Sequence, residues 1–195
     1  MNKKVDKKQN KVLKYISTGA MILLYSIVFS IFSAVFLIDA IPRVVTIIFG
    51  FVFMVPTIVL VFALGRSDGE KDYKEKSKQN TAGGKGKFVV EINYGVSALY
   101  ILSFAVPVIL LLIIGVAINN AIVHGIVYII LMPASLVFAT LGVVTTNPIT
   151  WLSVAVYLPY ILLICAAFCV GYILKFETLK NRQRSIESEL RMFNN

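Results

Sequence analysis

The apolar stretches of this chain have almost no ionisable side chains. Asp, Glu, Lys and Arg make up 15% of its 195 residues, and they fall in three blocks, residues 1–14, 66–91 and 175–191, with only Asp39 and Arg43 outside them. Ion-coupled transporters, pumps and voltage sensors need such groups inside the bilayer to bind, relay or sense charge. Their scarcity counts against proton antiport and voltage sensing. It leaves open a passive pore or a carrier of neutral solutes.

Ligand-forming residues are scarce too. His124 is the only histidine, and the two cysteines, Cys165 and Cys169, stand four residues apart inside an apolar run. That spacing puts both thiols on one helix face. Zinc takes about four N or S ligands, or about three at a catalytic centre, and the sequence offers no such set. Thiols in such a run serve as small apolar packing residues, and nothing suggests a disulfide framework. His124 is expected to play a polar role at the membrane surface. The stretch Ala82-Gly83-Gly84-Lys85-Gly86-Lys87 is not a phosphate loop. No glycine precedes either Gly-Lys pair at the required distance, and neither lysine is followed by Ser or Thr. No catalytic, cofactor-binding or metal-ligating residue is therefore assigned, and the chain is not expected to be an enzyme. Neither a cofactor nor a nucleic-acid partner is expected.

What the chain has is apolar length. It is 58% hydrophobic, with a mean hydropathy of +0.83. Apolar runs occupy roughly residues 15–38, 42–65, 95–118, 121–143 and 150–174. Each has about the 20 residues needed to cross ~30 Å of hydrocarbon as a helix. One such run could be a buried core helix; five predict an all-α, polytopic transmembrane bundle. The first run is too long for the ~7–15-residue core of a secretory signal, so it reads as a retained span. The divisions expected are a basic tail (1–14), a first transmembrane hairpin (15–65), a charged, solvated loop (66–94), three apolar segments (95–174) and an amphipathic C-terminal helix (175–195). Turn residues mark Asp39–Arg43, Asn119-Asn120 and Thr145–Pro148. The basic residues comprise 14 Lys and 5 Arg, a compositional sign of an AT-rich, low-GC bacterial genome.

Basic residues set orientation in membranes. Six lie in the N-terminal tail and seven in residues 66–94, which puts both in the cytoplasm of a multi-pass cell-membrane protein. The C-terminal block, with five more, favours the cytoplasm as well, yet five crossings place it outside. About five spans are expected. The alternative is that 121–143, which contains His124, Gly125, Pro133 and Ser135, is re-entrant.

Three features could carry function. Pro56, Pro107, Pro133 and Pro159 fall near the middle of successive runs. Each removes a backbone donor; broken helices of this kind line substrate sites in transporters, and proline also simply shapes packing. Gly19, Ser26, Ser30 and Ser33 form a small-residue face suited to close helix approach. Phe176, Leu179, Ile186, Leu190 and Phe193 fall on an a/d pattern with Gln183 at one core position. That stripe needs lipid, the protein's own body or another subunit to cover it. The expected role is a non-catalytic accessory, assembly or immunity-type component that packs against a membrane-protein partner or its own copies within the lipid bilayer. The alternative is a small transporter or channel component for a neutral or weakly polar solute, built around the proline-kinked helices.

Overall fold

The computed structural model describes residues 2–34, 42–82, 90–92, 94–118, 120–131, 134–135, 137–138, 141 and 150–193. Its helices are α1 (Asn2–Ala34), α2 (Arg43–Ala82), α3 (Tyr94–Ile118), α4 (Ala121–Ile130) and α5 (Trp151–Phe193). Four contain segments long and apolar enough to cross a membrane, Val12–Ile31, Arg43–Lys78, Tyr94–Ile118 and Trp151–Glu189. The chain is an all-α, multi-pass membrane bundle. Asp39–Ile41, Asn119, Pro133, Thr145–Pro148 and the glycine-rich stretch 83–87 lie outside the described residues.

Side-chain contacts fix the directions of the helices. Lys14 of α1 pairs with Asp72 of α2, and Thr18 bonds Asp68 at 2.7 Å, so α1 and α2 are antiparallel. Tyr15 meets Tyr100 of α3 edge-on at 4.7 Å, and Gly19 abuts Ser103, so α1 and α3 are parallel. Gly65 and Gly69 of α2 abut Phe168 and Tyr172 of α5, so those two are parallel as well. The start of α1, the end of α2, the start of α3 and the end of α5 therefore gather at one end of the bundle. We call it the charged end.

Helix α3 finishes at the far end, and α5 begins there. Helix α4 has 10 residues, about 15 Å of rise. Asn120 caps it by accepting the Ile122 amide at 2.8 Å. The helix stops at Leu131, and helical bonding resumes from Ser135 N to Leu131 O at 2.9 Å. Ser135 Oγ also bonds the Tyr157 hydroxyl of α5 at 2.8 Å. Leu131, Ala134, Ser135 and Val137 are all buried. Four helices are long and apolar enough to span, against the five expected; α4 is a shorter apolar helix held to α3 through His124 and the Gly115 carbonyl, and α1 begins at the end where α5 finishes.

The second departure from expectation is residues 66–82. They continue α2 as helix instead of forming a solvated loop. Their alternating charges pair along the helix, Asp68 with Lys71 at 3.1 Å and Glu70 with Lys74 at 2.6 Å, the i, i+3 and i, i+4 spacings at which side chains meet. α5 continues beside them. Past the apolar runs, residues 66–82 and 175–193 continue as helix for about 25–28 Å, a stalk whose first turns also pack against α1 and α3. Tyr73 packs edge-on against Phe176 at 5.3 Å and donates to Gln183 Oε1. Glu70 also bridges to Lys175 at 3.1 Å.

Glycine permits this close approach. A Cβ on Gly65 would collide with the Phe168 carbonyl, and one on Gly171 with the Phe62 carbonyl. Lipid tails are as apolar as the helix surfaces, so packing rather than water exclusion holds spans together, and small residues maximise it. The buried core runs along these helices through Val61, Tyr100, Phe104, Leu112, Ile161, Ile164, Phe168 and Tyr172.

Candidate functional site: a buried carboxylate hub

Asp68 and Asp72 are 2% and 8% exposed. They follow the apolar part of α2 by a few residues, where sequence alone places them in solvent. The other helices bring apolar and aromatic walls to the same level. Tyr100 lies within the third apolar run, and Tyr172 near the end of the last. Both rings are fully buried.

Asp72 is the point of convergence. It pairs with the Lys14 ammonium and accepts the Tyr172 hydroxyl at 2.9 Å. The Tyr100 hydroxyl approaches both of its oxygens at 3.4 and 3.5 Å. One carboxylate thus contacts each of the other three long helices. Asp68, one turn earlier, accepts from Thr18 at 2.7 Å and Lys71 at 3.1 Å. A buried carboxylate is tolerated only when paired and hydrogen-bonded, and these contacts meet that need. The Lys14 ammonium also stands 5.7 Å from the centre of the Tyr100 ring, within cation–π range.

Beside the hub is a cavity of about 90 Å³, room for a few waters. Lys14 and Tyr15 of α1, Asp72, Glu75 and Lys76 of α2, and Val96 and Tyr100 of α3 line it. Lys76 donates to the Glu91 carbonyl at 3.1 Å and lies 5.4 Å from the Phe176 ring centre.

No family model, no curated protein and no solved structure matches this chain. Its function must be argued from its own geometry.

The residues singled out in the sequence are dispersed. Pro107 and Pro159 are exposed on the outside of α3 and α5, Pro56 is half-buried, and Pro133 lies outside the described residues. None of the described prolines lines the cavity beside Asp72. His124 is buried, with Nε2 2.9 Å from the Gly115 carbonyl, so it ties α4 to α3. Cys165 and Cys169 are half-buried free thiols. Among the described residues no three His, Cys, Asp or Glu side chains gather as a metal site would. Gly19, Ser26 and Ser30 face inward. Of the C-terminal stripe, Phe176 is fully buried and Leu179 packs on the same small cluster, with Tyr73 and Val90. Ile186 is 49% exposed; the side chains of Leu190 and Phe193 are outside the description.

Sequence reasoning missed Asp68, Asp72 and their tyrosines as a unit. One signal was present: Gly65 and Gly69 form a G-x-x-x-G pair running into the acidic segment. In a membrane helix that spacing marks a close-packed face, and it carries the face past the last apolar residue.

Proposed function

We propose that this protein is a non-catalytic membrane component, an accessory, assembly or immunity-type subunit, that docks another membrane protein or a second copy of itself through its stalk and helix faces. The observation that carries this reading is the stalk. Two long helices are interlocked by glycines inside the bundle, and past the apolar runs they stay in contact from Glu70 and Lys175 to Tyr73 and Gln183. A paired, rigid extension suits recognition, because docking it orders few additional side chains and so costs little entropy.

The stalk has a face to offer. Phe176 and Leu179 are used internally, while Ile186 and Met192 are 49% and 72% exposed among exposed Arg182, Arg184 and Glu189. An apolar centre with a charged rim is the usual anatomy of a docking patch.

Orientation belongs to the same proposal. Among the described residues, every Lys and Arg except Arg43 lies in the first part of α1, the last part of α2 or the last part of α5, at the charged end, which by the positive-inside tendency faces the cytoplasm of a bacterial cell membrane.

Native mass measurement of the protein extracted with its surrounding lipid tests the docking role. A stoichiometric complex is expected, and Ile186→Lys combined with Arg184→Glu should dissolve it while helix content stays unchanged. A lone monomer in both forms would overturn the reading.

A further inference from the structure

We infer that Arg66, at the seam of α2 and α5, holds the phosphate of an anionic phospholipid headgroup.

Depth comes first. Arg66 is the first charged residue past the second apolar run, but the helices beside it have not left theirs. Thr18 of α1 bonds Asp68, which lies further along α2 than Arg66, and Thr18 is itself inside the first apolar run. Gly65 abuts Phe168, and the last apolar run continues beyond Phe168 for about 9 Å. Arg66 therefore stands where α1 and α5 are still apolar, and it is exposed there. A charge at such a level needs an opposite charge beside it.

The chain does not supply one. Lys14 pairs with Asp72, Lys71 with Asp68, and Lys74 and Lys175 with Glu70. Among the described residues the Arg66 guanidinium meets no carboxylate; it lies over the Phe62 ring, 5.9 Å from the centre. Phe62 in turn lies against Gly171 of α5, which puts the guanidinium at the seam. Glu70 shares the Arg66 face at i, i+4, but its two oxygens are taken by Lys74 and Lys175. Three cations around one carboxylate leave an excess of positive charge on the lipid side of the seam.

A lipid phosphate fits that excess. The long arginine stem lets its head rise toward the headgroups, and the planar fork grips a phosphate through two N–H donors. An anionic headgroup offsets part of the surplus, whereas a zwitterionic one brings no net charge. Val59 and Val55 lie deeper on the face of Phe62 and Arg66, and each is 57% exposed. They give the acyl chain an apolar track that a soluble anion would not use.

The test uses the full chain, stripped of lipid in neutral detergent, with thermal unfolding followed during titration. Short-chain phosphatidylglycerol should stabilise at concentrations about tenfold below phosphatidylcholine with the same tails, the scale of one charge-assisted hydrogen bond. Arg66→Gln should erase that preference. Arg66→Lys keeps the charge but loses the fork, and should retain only part of it. Lys78→Gln removes an equal charge from an exposed position about three turns further along α2, and should leave the preference whole. Unchanged helix content in each variant shows that the fold is kept. Equal response to the two lipids, an Arg66→Gln protein that keeps the preference, or equal losses from Arg66→Gln and Lys78→Gln would overturn the inference. Inorganic phosphate stabilising at the same concentrations as the lipid would overturn it too, since the ligand would then be a soluble anion.

Discussion

Asp72 and its partners show what a single carboxylate can do where water is scarce. The acid accepts hydrogen bonds or charge from Lys14, Tyr100 and Tyr172, each on a different helix. Removing one member of a buried pair strands the other, at a typical cost of ~3–5 kcal/mol. Lys14 keeps 29% exposure, so Asp72→Ala should fall near the lower end, about 3 kcal/mol. Detergent-induced unfolding of the purified protein measures it. Adding Lys14→Met to Asp72→Ala should recover part of the loss, because no ammonium is then left unpaired. An Asp72→Ala protein as stable as the parent would mean that the hub is ornamental. This hub was hidden in the sequence for a physical reason. Burial of Asp72 depends on Lys14, 58 positions earlier, and Tyr172, 100 positions later, and no local pattern encodes either distance. The alternating signs of residues 68–78 suit a loop or a helix equally well until something is known to lie beside them.

At the scale of the element, α2 and α5 depend on backbone contact. Gly171→Leu should force the helices apart at the Phe62 carbonyl, costing about 1–3 kcal/mol as overpacking does. Gly125 in α4 provides the contrast, since a Cβ there meets nothing within 4 Å. Gly125→Ala should be neutral or stabilise by up to ~1 kcal/mol through helix propensity. The two variants compared by the same unfolding assay separate contact from propensity. Element existence was legible wherever apolar runs were long. The C-terminal a/d stripe marked Phe176 and Leu179 as residues needing cover, and in the fold both pack on Tyr73 and Val90 of the chain itself. What covers them, the polar half of α2, was not legible, because that half had been read as loop. Residues 121–143 show the opposite difficulty. Their composition satisfies a span, yet the helix ends at Leu131, and Ser135 is bound sideways to Tyr157.

For the whole molecule, the chief consequence is where the ends lie. The directions of the four long helices bring the end of α5 back to the end from which α1 starts. Reporter fusions at the two termini should therefore report the same side of the membrane, and by basic-residue bias the cytoplasmic one. Opposite sides would mean that segment 119–150 crosses in the cell. The three basic blocks were legible in the sequence; the helix directions that bring them to one end were not, because contacts such as Lys14–Asp72 and Gly65–Phe168 join residues far apart in the chain.

The parallel pairing of α2 with α5 also sets a timetable for biogenesis. The Lys14–Asp72 and Thr18–Asp68 contacts lie within the first two helices, so that hairpin can close its carboxylates as soon as it leaves the ribosome. Its glycine face cannot be filled so early, because Phe168 follows Gly65 by 103 positions. At about 5–20 residues per second, the newborn hairpin waits on the order of 5–20 s with Gly65 and Gly69 facing lipid or a chaperone. The last helix to be made is the one that completes the fold.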